Sequence, residues 1–388
     1  MPASSTIKLN PALRQNPSSF AGIMNPDVCE LNRLALQGLV PMFDKEKQLF
    51  CYRLVRKNQE FASEGLSPRY TIMTLLGLRE LERTGARIPF DTNGIYASFT
   101  RDISWIHGAG DWGLFTWLAA TFAPDQLDDV FRRCQVQTVL DRYVDAREAR
   151  TMELAWFLAG LSHAALACPE RVPDLKGLAD KTYSLLEKNH GRSGYFGHLS
   201  TSKSVSGFFR GRIGSFADQI YPVYAISKYC VAFQVEAASK SALACAKAIC
   251  EAQGELGQWW WLYDSKSGRI SSKYSVYSVH QQGMAPMGLI AAEEATGHSF
   301  QEPILKGLRW IYGANELGVD MRDLSTNLIW RCISPQQESG KYMSVLRSMA
   351  GMSGAEFSSA ELKVLHEDRP YELGWLLYAF GRFGITGS

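Results

Sequence analysis

Residues 153–167 read ELAWFLAGLSHAALA. An acid heads the segment, and Leu, Ala, Gly and aromatic residues then fill every helical face. A helix on a protein surface shows one apolar stripe and one wet face. This segment has no wet face, so it predicts a helix covered on all sides. Five further segments share the pattern of a polar or acidic head and an apolar body. They are YTIMTLLGLREL with Arg69 and Tyr70 at its head, DWGLFTWLAATFA from Asp111, DQIYPVYAISKYCVAF from Asp218, HQQGMAPMGLIAAEEATG from His280 and ELGWLLYAFGRFG from Glu372. The first intervals are about 42 residues, and later ones lengthen.

Between these segments lie helices of the opposite kind. QLDDVFRRCQVQTVLDRYV, LKGLADKTYSLLEKN, SKSALACAKAICEAQ and FQEPILKGLRWIYGA each carry a charged face and an apolar one. Alternating β-branched runs are nearly absent. An all-apolar helix alternating with an amphipathic one is what an inner ring and an outer ring require. On this pattern the chain resembles the six-hairpin (α/α)6 toroids. That group includes glycoside hydrolases, polysaccharide lyases and sugar epimerases, with the terpenoid-cyclase and prenyltransferase toroids as relatives. The resemblance implies an all-α fold, a single toroid over residues 29–388 after an N-terminal extension at 1–28, and long loops at one mouth.

Composition bounds the partners. The chain has 388 residues, 46% hydrophobic and 21% charged, with a formal net charge of +2. That is ordinary globular usage. No basic run or stripe marks a nucleic-acid footprint. The N-terminal MPASSTIKLNPALRQNPSSF lacks the apolar core of a secretory signal, and no apolar run approaches the roughly 18 residues of a membrane span. Eight scattered cysteines without a CxxC pair read as reduced core residues, not as a disulfide framework or a zinc site. These points lead us to expect a cytoplasmic protein with no metal and no cofactor.

In such a toroid the inner helices run the same way, so their N-termini meet at one mouth. Acids there have an ordinary explanation, since a carboxylate at a helix N-terminus is favoured by about 0.3–1 kcal/mol. Several crowded into one funnel have another: crowding separates their pKa values and makes an acid and a base. Asp218 is the first candidate, with Glu153 and Asp111 as partners and Glu372 behind them at the rim. The loop HGRSGYFGHLSTSKSVSGFFRGRIGSF before Asp218 offers Arg210 and Arg212 as an anion clamp. The loop GELGQWWWLYDSKSGRISSKYSVYSV supplies Trp259, Trp260 and Tyr277 for stacking on a sugar ring. Three successive tryptophans cannot all enter one core, so at least one faces the mouth. Asp264 in that loop reads as a turn residue. Tyr221, His107, His280 and Gln282 complete the expected substrate contacts. Ser278 is the better N-cap for the fifth inner helix, and His280 acts only if it shares a cavity with Asp218. Asp320, Arg322 and Asp323 are further rim candidates.

Walker A, HExxH, GxSxG and DxDD motifs are absent, and no GxGxxG opens a βαβ unit. Ile220 stands two positions after Asp218, where the prenyltransferase toroids carry a zinc-binding Cys. The first functional reading is therefore a carbohydrate-active enzyme that works by carboxylate acid/base catalysis on an oligosaccharide or sugar conjugate. The second is a terpenoid-cyclase-like enzyme, with Asp218 or Asp264 as the single acid and Trp259, Trp260, Trp261, Phe208 and Tyr277 stabilising cations. The third is a non-catalytic toroid that binds a glycan or a partner. The sequence leaves oligomeric state open.

Overall fold

A computed structural model describes residues 27–57, 60–134, 150–199, 211–336 and 357–385. Arg210 and Phe208, residues 1–26 of the expected extension, and the second half of the segment from Gln126 lie outside them. Among the described residues, twelve α-helices of eight residues or more alternate between two rings. The outer helices are α1 (Val28–Gly38), α3 (Thr92–Arg101), α5 (Leu127–Cys134), α7 (Val172–Glu187), α9 (Ser239–Glu251) and α11 (Gln301–Ile311). The inner helices are α2 (Pro68–Glu82), α4 (Ala109–Phe122), α6 (Thr151–Ala167), α8 (Phe216–Phe233), α10 (Ala285–Thr296) and α12 (Pro370–Phe380). Each inner helix packs on the one before it, and α12 packs back on α2, so the ring closes.

Burial follows the sequence pattern. In α4 every residue from Ala109 to Ala120 is buried. In α9 only Ala242, Cys245, Ala246 and Ile249 are, which is a single face at helical spacing. Tight closure of the inner ring rests on glycine. A Cβ on Gly160 of α6 would strike the backbone of Gly113 on α4, and one on Gly113 would strike the backbone of Trp156 and Phe157. Gly77 of α2 and Gly374 of α12 meet in the same way. These are backbone-on-backbone contacts, which no side-chain rotation relieves.

The fifth inner helix opens unusually. His280–Met284 form a π-helical turn ahead of α10, and the Ala285 N–H bonds the His280 carbonyl. Pro286 has no N–H to return to the turn before it, so the ladder widens there. Ser278 does not cap this helix: its Oγ donates to the Trp330 carbonyl at 2.5 Å.

Among the described residues, twelve short strands decorate the helices, most of them two to four residues long. The longest pair, β2 (Leu49–Lys57) and β3 (Glu60–Leu66), is an antiparallel hairpin in register Cys51 to Leu66. Four strands lead directly into inner helices: β3 into α2, β4 (Ile213–Ser215) into α8, β7 (Val276–Tyr277) into the π turn, and β12 (Glu367–Asp368) into α12. The sheets therefore sit at the N-terminal mouth, where the chain between rings is longest. No helix among the described residues is long and apolar enough to cross a membrane.

Two glycine substitutions test the packing account. Gly160→Ala should cost about 1–3 kcal/mol or more, because the neighbouring backbone must move. Gly177→Ala, on the open face of α7 with no atom within 4 Å, should gain about 0.5–1 kcal/mol. Urea unfolding of both variants checks this, and equal effects would refute it.

Candidate active site at the N-terminal mouth

The first turns of the inner helices touch around the whole ring. Arg69 of α2 bonds Asp111 of α4 through Nε at 2.5 Å. A Cβ on Gly110 would lie 3.1 Å from Glu153 Cγ, so α4 and the head of α6 are in contact. Trp156 of α6 meets Tyr221 of α8 edge-on at 5.4 Å. Phe216 at the start of α8 lies 4.5 Å from the ring of His280. Gly283 abuts the backbone of Trp375 on α12, and Tyr371 of α12 returns to Tyr70 of α2 at 4.4 Å. The structure thus brings Asp111, Glu153, Asp218, His280 and Glu372 to one mouth.

Their partners differ. Asp111 is 1% exposed, with one oxygen on Arg69 and the other accepting the His107 N–H at 3.0 Å. His107 serves through its backbone, and its side chain is exposed. Glu153 keeps 15% of its side chain exposed, 3.7 Å from Arg150. Asp218 closes a capping box with Ser215. Its Oδ2 accepts from the Ser215 N–H at 2.9 Å and the Ser215 hydroxyl at 2.9 Å, and faces His198 Nδ1 at 3.1 Å. Its Oδ1 accepts no hydrogen bond among the described residues. His198 is placed by a loop strapped to α6, whose Thr151 N–H donates to the His198 carbonyl at 2.9 Å. The S-x-x-D box thus holds one oxygen of the acid.

Glu372 belongs to a second cluster that the sequence did not announce. Arg331 bonds it directly, and a Tyr277 ring lies 5.1 Å beneath the same guanidinium. Glu367 binds Arg369 at 2.6 Å and Arg53 at 3.3 Å. Asp368 is 1% exposed and accepts the backbone N–H groups of Ile329 at 3.2 Å and Arg369 at 2.7 Å. Burial pushes the Asp368 carboxyl well above the usual range, and the charge of Glu372 adds to it. Burial also raises Glu372, against the pull of Arg331 and Arg369. Burial works against the charge on Arg331, but Glu372, Tyr371 and Tyr277 outweigh it and hold the guanidinium protonated.

The expected aromatic contacts sort differently from the sequence reading. Trp259 is fully buried against Phe216. Trp260 turns to the outer layer, its Nε1 donating to the Ala252 carbonyl at 2.7 Å. Neither is placed to stack on a ligand at the mouth. Trp261 is the partly exposed one, 5.0 Å from Tyr277 and parallel to His280 at 6.2 Å. The three tryptophans precede the strand that starts at Leu262 and lie outside any helix, so helical periodicity does not sort them. Arg212 is no free clamp, because it faces Asp264 at 3.4 Å. Asp264 itself holds a turn, accepting the Lys266 N–H at 2.9 Å. Arg322 pairs with Asp320 and Glu30 over the Tyr312 ring, against the outer helices and not at the rim.

His280 is 4% exposed behind Phe216, Trp261 and Tyr277. Burial lowers its pKa to about 3, with the Trp259 backbone opposing and Arg331 adding. It is a neutral imidazole at any ordinary pH, and it is screened from the open mouth. Gln282 is 1% exposed, and neither its Oε1 nor its Nε2 has a hydrogen-bond partner among the described residues. Tyr221 is committed, its hydroxyl accepting from Trp375 Nε1 at 2.9 Å. Among the described residues no three His, Cys, Asp or Glu side chains are grouped to hold a metal ion.

Solved structures share this architecture. The chain has the fold of the (α/α)6 toroids. A possible GH105 family member from Klebsiella pneumoniae matches with a TM-score of 0.58 at 12% identity, over 99% of this chain and 98% of that one. The unsaturated glucuronyl hydrolase of Bacillus sp. GL1, responsible for the degradation of glycosaminoglycan, matches at 0.59 and 12%, over 91% and 95%. Cellobiose 2-epimerase from Bacillus thermoamylovorans matches at 0.59 and 11%, over 90% and 98%. No family model and no curated protein sequence matches this chain.

The raised Asp368 has a consequence for stability. Its unfolded pKa is near 3.9. Between that value and the raised folded one, the native state holds a proton that the unfolded state has lost. Stability therefore falls as pH rises through this window, by up to about 1.4 kcal/mol per unit. Asp368→Asn removes the penalty, so its stability relative to wild type should grow between pH 5 and pH 8. Denaturant melts at both pH values measure it, and a constant difference would count against a buried, proton-holding Asp368.

Proposed function

We propose that this chain is a carbohydrate-active enzyme. In this reading Asp218 and Glu153 exchange protons with a sugar at the N-terminal mouth. The observation that carries it is the state of Asp218: one oxygen is fixed by Ser215 and His198, and the other takes no hydrogen bond among the described residues. A buried carboxylate anchored through one oxygen, with the other not hydrogen-bonded, is pre-set for proton transfer, because its orientation costs nothing at the moment of reaction. Glu153, on the adjacent inner helix, keeps part of its side chain exposed and supplies the second carboxyl. Asp111 has both oxygens committed, so it acts as a positioning anion for Arg69 and the His107 loop.

Recognition in this reading falls to Trp261 and Tyr277, whose rings meet at the mouth, and to the unpartnered amide of Gln282. A buried amide without partners costs about 1–3 kcal/mol, which a sugar hydroxyl would relieve. Pairs of carboxylates serve hydrolysis, where one protonates the departing oxygen and the other activates water or attacks. The same pair serves elimination, where one takes a carbon-bound proton and the other protonates the departing oxygen, or epimerisation, where one takes a carbon-bound proton and the other returns one to the opposite face. The three solved toroids above, two hydrolase-like and one epimerase, are consistent with this range. The cyclase reading has less support, since Asp264 is tied into its turn and paired with Arg212.

The test is turnover of an oligosaccharide panel, including disaccharides with a reducing end and disaccharides ending in an unsaturated uronate, followed by mass-resolved chromatography. Gain of water marks hydrolysis, and a shifted retention without mass change marks epimerisation. Asp218→Asn should lower kcat on the active substrate about 10²–10⁴-fold with little change in KM, while Asp129→Asn on the outer ring leaves it unchanged. Absence of turnover across the panel, or full activity in a folded Asp218→Asn protein, refutes the proposal.

A further inference from the structure

A cavity of about 390 Å³ opens at the other end of the toroid, where the inner helices finish. That volume is in the range of small-ligand sites. All six inner helices line it, so it lies on the ring axis. It is cut off from the mouth by an aromatic septum: Trp117 and Trp375 stack at 5.6 Å, and Trp375 reaches up to the Tyr221 hydroxyl.

The floor is a half-buried hydrogen-bond chain. His163 Nε2 lies 2.7 Å from the Tyr224 hydroxyl, and that hydroxyl lies 2.6 Å from the hydroxyl of Tyr378. Burial first, then Lys228 and Arg83, lowers the His163 pKa well below its ordinary value, so the imidazole is neutral. A neutral imidazole permits the chain to run either way. If His163 donates, Tyr378 ends the chain as a donor. If His163 accepts, Tyr378 ends it as an acceptor. A floor that reverses in this way meets a ligand hydroxyl in either role.

The wall adds a fixed charge. Lys228 lies 5.7 Å over the Tyr224 ring and bonds Glu294 at 2.7 Å, with 19% of its side chain exposed. An ammonium has three donors, and Glu294 uses one. Arg382, 4.0 Å from Glu294, and Arg83, bonded to Glu80, stand at the rim. Three cations face two carboxylates in this lining. The balance favours a ligand with one negative charge, and the mix of carboxylate, guanidinium and hydroxyl groups suits vicinal hydroxyls. Leu166, Ala167, Met287 and Ile290 supply apolar wall between them.

We propose that this cavity is a second ligand site, for a monosaccharide-sized polyol bearing one anionic group, a carboxylate or a phosphate. It is independent of the reading given to the mouth.

Calorimetric titration of the full-length protein with glucuronate, glucose 6-phosphate, glucose and inorganic phosphate tests the assignment. At least one of the two anionic sugars should bind saturably, and at least tenfold more tightly than glucose or phosphate. Which of the two binds identifies the anionic group. Lys228→Met should weaken that binding tenfold or more, and Lys228→Arg should restore part of it. Ala167→Trp, at an exposed position on the wall, should abolish it, while Glu153→Gln at the mouth leaves it intact. A thermal melt of each variant separates lost binding from lost folding. No binding of either anionic sugar to the wild type overturns the proposal. So does binding that survives Ala167→Trp or disappears in Glu153→Gln.

Discussion

Everything in this molecule depends on how closely the inner helices approach. Gly113 against Gly160, and Gly77 against Gly374, bring backbone onto backbone on two sides of the ring. Close approach narrows the bore until a few aromatic rings fill it. Trp117, Tyr224, Trp375 and Tyr221 then pack as a septum, linked by stacking and by the Trp375–Tyr221 hydrogen bond. The septum makes two chambers of one toroid. Each chamber is bordered by helix ends, where backbone groups are unsatisfied and side chains must answer them.

The two ends solve this problem with opposite residues. At the N-terminal mouth acids lead the helices, as the partial positive charge there favours. Asp111, Asp218 and Glu372 are buried, and each acquires an answering partner: Arg69, the Ser215 box with His198, or Arg331. At the C-terminal end the order is reversed, with Arg83, Lys228 and Arg382 near the last turns. The capping physics and the proposed chemistry are thus not rivals. Capping fixes one oxygen of Asp218, and the proposed chemistry uses the other.

Much of this was legible in the sequence, and the reason is local. An all-apolar helix announces burial on every side, so all six inner helices and the acids at their heads could be placed from one repeat. The outer helices α7, α9 and α11 showed through their charged faces, whereas α1 and α3 did not stand out. The hairpin of β2 and β3 passed unnoticed because its alternation is broken by Arg53 and Glu64, which pair across the strands. The partners of the acids were hidden for a different reason. Arg69 and Asp111 are 42 residues apart, and Arg331 and Glu372 are 41 apart. The repeat sets Arg69 and Asp111 at the heads of neighbouring helices without naming them as a pair, and nothing in the sequence pattern links Arg331 to Glu372. The choice of Trp261 over Trp259 and Trp260 also turned on a non-helical stretch that helical periodicity does not reveal. His198 lay inside the loop singled out for Arg210 and Arg212, and nothing in its local pattern tied it to Asp218.

The central claim is that sugar chemistry occurs at the N-terminal mouth, next to Asp218. The most direct test is the structure of Asp218→Asn bound to an oligosaccharide that the wild type converts. The account predicts the sugar seated against Trp261 and Tyr277, with its reacting atom within hydrogen-bond reach of residue 218 and of Glu153. A substrate held elsewhere, with the mouth unoccupied, would contradict it.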